Sequence, residues 1–435
     1  MKDLCKRISD TEVTHQIGRI TSAGAACLKV TGLSKTAAIG DQVTVAGGMG
    51  EIIDINQDVV TVLPDGSCEG LRIGETVTWI GPSELAPDDS WLGRIIDPYG
   101  RPMDGRPLTF GSTVRSLRAA PPNAAERKPL GARLATGLAV FDTLLPLVKG
   151  QRVGLFAGSG VGKSMLLAQL AGHVDTDVVV IALVGERGRE VREFVDKALG
   201  PDRMARSVVV AATSDQSPVS RRRAVWSAMT VAEHFRDSGK HVLFLADSIT
   251  RFAEAHREIA LAAGEGAGLQ GFPPSTAHMI MALSERAGPG TLGSTGDITA
   301  VLSVLVAGSD MEGPVADTMR GVLDGHVVLD RDIAERGRFP AIDVLRSVSR
   351  SLPAAATDHE NALITLARRR LGAYDRAEMM IQSGLYASGS DPEVDAAIQI
   401  WPALDAFIAE PAPGGIESYF PMRLGETGDG IRQKK

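Results

Sequence analysis

The sequence predicts a multi-domain α/β protein: a small N-terminal β-barrel, a central domain with a mostly parallel sheet, and a C-terminal helical domain. Three changes of texture along the chain carry this. The first eighty residues hold short β-rich runs broken by turns, with no helical stretch between them. From about residue 150, continuous β-branched runs alternate with helical patterns, and from about 355 the pattern is helical throughout. A chain of 435 residues is also too long for one hydrophobic core.

Between Thr14 and Ile80 the runs ACLKVTG, DQVTVAGG, EIIDINQDVVTVLP and ETVTWIG are punctuated by Gly, Asp-Gly and Asn. Short strands joined directly by turns close into a barrel; a doubly wound unit would need helices between them. The Pro/Gly-rich connectors GPSELAPDD, DPYGRPMDGRPL and RAAPPNAAERKP then mark a boundary, giving a barrel domain over 1–84 and a central domain over 85–354. Strands are predicted at 152–157, 177–184, 207–212, 241–246, 298–306 and 326–330. They are continuously apolar, as strands covered on both faces must be. Helical patterns such as KSMLLAQLAGHV and EVREFVDKAL lie between them, the signature of a mainly parallel sheet. A helical domain over 355–435 closes the chain; its second helix opens on an Asp391 cap with Pro392 at the first helical position, and the tail GETGDGIRQKK is expected to be loose.

Composition narrows the function. Hydrophobic residues make up 44% and aromatics only 4%, so aliphatic and Ala/Gly packing must fill the cores. The formal net charge of −7 gives nucleic acid no support as a partner. Cys5, Cys27 and Cys68 have neither zinc-site spacing nor an even count, and read as small buried apolar residues in a reducing cytosol. There is no run of eighteen apolar residues, and MKDLCKRISD has no apolar signal core. A cytoplasmic protein with peripheral membrane contact at most is expected.

The strongest chemical signal is AGSGVGKS, Ala157 to Ser164, between a predicted strand and a predicted helix. A glycine-rich loop turns consecutive backbone N–H groups inward on an anion, and the helix start adds its positive end. Lys163 can reach the outer phosphates and Ser164 can hold Mg²⁺, which makes the central domain a P-loop NTPase domain of RecA-like plan. Asp247 ends the run VLFLAD, where a carboxylate at the edge of a buried strand can hold Mg²⁺ through water. Glu186, in LVGERGRE, stands just past another strand, where a carboxylate can position and polarise water; Arg187 follows it and can pair with phosphate.

These residues carry a resemblance. TGLAVFDTLLPLVKGQRVGLFAGSGVGKS, VGERGREVREF and FLADSITRFAEAHREIALAAGE resemble the catalytic subunits of the rotary ATPase superfamily. DGHVVLDRDIAERGRFPAIDVLRSVSR is similar to the type III protein-export ATPases, and YASGSDPEVDAAI with IWPALDAF is similar to their flagellar branch. The resemblance spans nearly the whole chain. It implies that Gly158, Ser159, Gly160, Val161, Gly162, Lys163 and Ser164 form the phosphate loop, that Glu186 orients the attacking water, and that Asp247 is the Mg²⁺-associated aspartate. It implies that Arg187 and Arg251 contact phosphate or the catalytic carboxylate, that Arg350 is an arginine finger serving the neighbouring subunit, and that Phe339, with Tyr386 as a second candidate, lies against adenine. Ala157 replaces a glycine, GEGAGLQGFPPS replaces a proline-bearing GEPP version, and only about a dozen residues precede the barrel, where relatives carry an arm that docks a regulator.

The resemblance thus implies an ATP- and Mg²⁺-dependent motor subunit in a homo-oligomeric ring, expected to be a hexamer, that frees export substrates from chaperones and helps them enter a membrane export gate. A stator-like regulator and a stalk-like protein are the implied further partners. Three rivals make different demands. A rotary synthase subunit is disfavoured by DGHVVLDRDIAERG and the short C-terminal domain. An RNA-driven helicase needs a basic, aromatic barrel, yet residues 14–80 hold only Trp79 and few Lys or Arg. A non-catalytic ring subunit would usually lack the carboxylate at 186. An injectisome ATPase is the alternative within the same family.

Overall fold

The computed structural model describes residues 15–293, 295–306 and 311–412. Six strands form a closed barrel: β1 (Ile17–Ala23), β2 (Leu28–Thr31), β3 (Gln42–Val45), β4 (Gly48–Asn56), β5 (Val59–Pro64) and β6 (Thr76–Gly81), in the order β1-β2-β5-β4-β3-β6. Ile20, Leu28, Val30, Val43, Ile52, Val60, Val62 and Val77 fill its interior. Closure leaves the short strands without an open edge. Cys27 and Cys68 are free thiols, half-buried against the barrel's apolar clusters where full burial was expected; Cys5 lies outside the described residues.

A two-residue ladder, β7 (Glu84–Leu85) with β9 (Arg115–Ser116), follows the barrel. The central sheet has eight strands: β8 (Arg94–Ile96), β10 (Arg152–Ala157), β11 (Val178–Glu186), β12 (Ser207–Thr213), β13 (His241–Asp247), β14 (Asp297–Leu305), β15 (Gly325–Leu329) and β16 (Ile342–Ser349). Their order is β16-β15-β10-β14-β13-β11-β12-β8, all parallel except β16, which runs antiparallel to β15. All six strands predicted in the central domain are present, within two residues at either end. The two edge strands escaped the sequence pattern for different reasons. β8 is three residues long between two Pro/Gly-rich connectors, and its Arg94 is buried by an ion pair with Asp104 at 2.6 Å. In β16 buried and open positions alternate, as suits a strand covered on one face, so it lacks a continuous apolar run.

Two C-terminal helices, Asp358–Gln382 and Pro392–Ala409, pack on the β16 side of the sheet. The first opens on a capping box between Thr357 and Glu360. The second opens on Asp391, whose carboxylate accepts from Glu393 N at 2.8 Å, with Pro392 in the first turn as the sequence predicts. Leu371, Leu404, Phe407 and Ile408 join Leu329, Ile342 and Val344 in one apolar cluster, so the helical end shares its core with the sheet. No helix among the described residues is long and apolar enough to cross a membrane.

The barrel is fastened to the sheet domain by a buried polar chain. Glu51 on β4 accepts from Arg222 at 2.6 Å and from Arg118 at 2.5 Å, and both guanidinium groups lie over the Trp226 ring. Arg222 also reaches His256 Nδ1 at 3.1 Å, and His256 Nε2 lies 2.8 Å from Ser275 Oγ, which donates to Glu265. An imidazole that accepts at one nitrogen and donates at the other is neutral. Burial and the adjacent Arg222 push its pKa down to about 4, against the opposing pull of Glu265. The folded protein therefore resists a proton that the unfolded chain accepts near 6.5, and this contribution to stability is present above pH 6.5 and lost as pH falls toward 4. Denaturant titrations across that window should show a falling midpoint, and His256→Gln should flatten the fall.

Candidate nucleotide site

Parallel register brings the ends of three strands to one edge of the sheet: Ala157 of β10, Glu186 of β11 and Asp247 of β13. Each strand is followed by a turn into a helix, and that edge is where open α/β sheets place their ligands. After Ala157 the chain forms the loop 158–162 and enters the helix Lys163–His173. Gly160 and Gly162 have φ of 79° and 88°, the left-handed region that turns successive N–H groups to one side. A methyl group on Gly162 would also stand 3.1 Å from the Phe339 ring, so only glycine suits that position on both counts.

Lys163 Nζ is hydrogen-bonded to Asp247 Oδ1 and lies 3.9 Å from Glu186 Oε1. Asp247 is almost fully buried, and Ser303 on β14 donates a second hydrogen bond to the same oxygen at 2.8 Å. The Asp247–Ser248 peptide is cis. Glu186 is aimed by a bulge: Val184 pairs with Ala212 and Glu186 with Thr213, leaving Gly185, at φ 72°, as the extra residue. A side chain at Gly185 would meet the Arg251 stem at 3.1 Å. Burial first, then the Asp247 carboxylate, push the Glu186 pKa up to about 7, while Lys163 pulls it down. Glu186 also hydrogen-bonds Glu190, whose own pKa is held low by that bond. A carboxyl poised near neutrality, beside a lysine and on the rim of a cleft of about 340 Å³ lined by Ser164, Met165, Glu190 and Phe194, is suited to handling a water proton.

The remaining expected residues fall into three places. Arg251 packs its stem on Gly185 and gives its guanidinium to Glu254 at 2.8 Å, so it stands beside Glu186. Arg187 is three-quarters exposed and pairs with Glu190 at 3.1 Å, which turns it to the rim of the site. Phe339 is half-exposed with its ring over Gly162. Tyr386 belongs to the C-terminal helices: its hydroxyl donates to Asp391 O at 3.1 Å and Asp395 Oδ1 at 3.0 Å. Arg350 lies at the other end of the sheet. Its N–H donates to Asp324 O at 3.0 Å, and Asp324 in turn accepts from the N–H of Arg152, the first residue of β10. Six residues of β10, at about 3.3 Å each, separate that end from the phosphate loop.

Three participants escaped the sequence reading. Ser303 sits inside a continuous apolar run and Glu190 inside a helical one, so neither pattern marks it. Arg331 reaches Ser159 O at 3.5 Å from a segment distant in sequence. The oxygen set of Ser164, Asp247 and Glu190 on one cleft fits a hard divalent cation such as Mg²⁺.

A closed barrel, a glycine-rich loop at the carboxyl edge of a parallel sheet, and a lysine–carboxylate cluster define a P-loop nucleotide-binding ATPase. Residues 137–349 match the ATP synthase alpha/beta family nucleotide-binding domain, and residues 356–412 match the T3SS EscN ATPase C-terminal domain. The flagellum-specific ATP synthase of Caulobacter vibrioides is 41% identical over 421 residues, 94% of this chain and 95% of that protein. The SPI-2 type 3 secretion system ATPase of Salmonella typhimurium is 44% identical over 363 residues, 83% of each chain. The assembled ATPase EscN of enteropathogenic E. coli, solved in complex with its central stalk EscO, superposes with a TM-score of 0.83 at 37% identity, covering 94% of this chain and 99% of EscN. The chain belongs to the family of type III export ATPases that includes the flagellum-specific ATP synthases.

Ser303→Ala should leave the fold intact and loosen Asp247. The Mg²⁺ concentration for half-maximal hydrolysis should then rise at least about tenfold, the usual effect of losing a partner that orients a metal ligand.

Proposed function

We propose that this chain is the ATP-hydrolysing subunit of a ring motor that powers flagellar type III protein export, and that each active site is completed by a neighbouring copy. The observation that carries this is the placement of Arg350. Arg350 sits a full strand length from its own phosphate loop, so it is of no use to that loop, and its exposed guanidinium donates, among the described residues, only to Arg320 O at 3.1 Å, which supports its serving a neighbouring copy. EscN is solved in an assembled form, which supports the same arrangement for this relative.

In this reading the N–H groups of residues 158–164 bind the phosphates, and the Lys163 ammonium leaves Asp247 to neutralise the outer ones. Glu186 takes the proton of the attacking water and Arg251 supports its position. Ser164 and Asp247, with Glu190 alongside, would hold Mg²⁺, which when bound neutralises charge on the phosphates. Phe339 would cover the base. Arg350 of the next copy would stabilise charge on the transferring phosphoryl group, an effect of about 10³–10⁵ in rate where such fingers are measured. EscO is the central stalk of EscN, and a stalk-like protein is proposed here by the same likeness. A stator-like regulator, chaperone–substrate complexes and export-gate proteins at the inner face of a membrane complete the proposal. The 44% identity to a secretion-system ATPase keeps an injectisome role as the second reading. RNA is disfavoured, because Trp79 donates its indole N–H to Asp41 at 2.8 Å within the barrel.

Specific ATPase activity should rise steeply with protein concentration. Arg350→Ala mixed into wild type should lower activity by more than its share of the mixture, and strict proportionality would exclude a shared site. Glu186→Gln should abolish turnover, by at least about 10², while equilibrium ATP binding persists.

A further inference from the structure

The segment between β15 and β16 touches the nucleotide site and the C-terminal helices at once. On one side Arg331 reaches Ser159 O of the phosphate loop, and the Phe339 ring covers Gly162. On the other, Arg336 pairs with Glu378 at 2.9 Å on the helix Asp358–Gln382, and Arg338 Nε lies 2.9 Å from Asp405 Oδ1 on the helix Pro392–Ala409. Between the segment and these helices runs a cleft of about 600 Å³. The helices also pack on β15 and β16 through a shared apolar cluster, but across the cleft itself the polar contacts to the segment, among the described residues, are these two bridges.

The two bridges differ in kind. Arg336 is 44% exposed, and exposed pairs contribute little. The Arg338 side chain is 8% exposed, and its other two nitrogens donate to Pro340 O at 3.2 Å and Ile342 O at 2.8 Å, on the far side of Phe339. One guanidinium therefore staples both flanks of Phe339 and is paired by charge, without a hydrogen bond at Nε, with the Asp405 carboxylate. Burial disfavours charge on Arg338, and Asp405 is the carboxylate that offsets it most. When a buried pair loses one partner, the other must move or be left uncompensated.

We infer that Arg338 is a positioning residue that sets the Phe339 ring against the phosphate loop, and that Asp405 holds it there, so that the position of the C-terminal helix carrying Asp405 tunes nucleotide affinity through this pair. The inference rests on the reading of Phe339 as the cover of the base. A shift of the Pro392–Ala409 helix pulls the Arg338 staple, and with it Phe339, away from Gly162. In the other direction, a base seated under Phe339 favours the helix position in which Asp405 meets Arg338, as linkage requires.

The test uses the full-length chain and measures ADP affinity by calorimetry together with KM and kcat for ATP. Asp405→Ala should raise the ADP dissociation constant and KM together, by at least about fivefold, with kcat unchanged. Asp405→Asn, which keeps an acceptor and carries the test if the alanine variant does not fold, should give a smaller change in the same direction. Phe339→Ala should also weaken ADP binding, and adding Asp405→Ala to it should cost nothing further. If Phe339→Ala weakens binding but both Asp405 variants bind ADP as wild type does, the positioning role is wrong and the reading of Phe339 stands. Full additivity of Phe339→Ala and Asp405→Ala would likewise overturn the role, since the pair would then act independently of the ring. If Phe339→Ala leaves ADP affinity unchanged, the reading of Phe339 falls and the inference falls with it.

Discussion

The site is built round the contact between the Lys163 ammonium and the buried Asp247 carboxylate. A carboxylate with so little solvent is costly unless it is paired and hydrogen-bonded. Here Lys163 supplies the charge and Ser303 the second hydrogen bond. The contact spans two elements that parallel register alone brings together, the helix after β10 and the end of β13. In the proposed mechanism phosphate oxygens compete for the same ammonium, which would make nucleotide entry an exchange of anionic partners on one lysine.

The neighbouring carboxylate depends on the same cluster. Glu186 is pushed toward neutrality by burial and by the charge on Asp247, and pulled back by Lys163. Any move of Lys163 away from Asp247, as the proposed mechanism requires, would change that balance at Glu186. The Gly185 bulge fixes the direction in which this carboxyl points, and the Arg251 stem fills the space where any larger residue at 185 would have its side chain. Glu190, four residues further on, shares a hydrogen bond with Glu186 and an ion pair with Arg187, linking the buried group to the rim.

Around this centre the fold separates three tasks. The barrel is held to the sheet domain by the buried Glu51–Arg222 ion pair, which is continued through neutral His256 and Ser275 to Glu265 by hydrogen bonds and favours a fixed attachment over a hinge. The C-terminal helices share an apolar cluster with the sheet yet face the β15–β16 segment across a cleft, an arrangement with more freedom. Arg350, at the end of the sheet away from the loop, is exposed and donates to Arg320 O at 3.1 Å, a position that leaves it open to the neighbouring-copy role proposed for it.

The sequence by itself determined the plan: the barrel, the six inner strands of a mainly parallel sheet, the glycine-rich loop, and the places of Lys163, Glu186 and Asp247 at helix start and strand ends were legible, because each is marked by local pattern. Continuous apolar runs mark buried strands, and glycine followed by Lys-Ser marks the loop. Only the tertiary structure decided what depends on register and on packing between distant segments. It placed Ser303 on Asp247, turned Arg187 outward while keeping Arg251 beside Glu186, tied Tyr386 to the last helix, and set β8 and β16 at the two edges. It also joined Arg338 to Asp405, sixty-odd residues on. No periodicity records such a pair, because an ion pair between segments is fixed by where the chain returns in space.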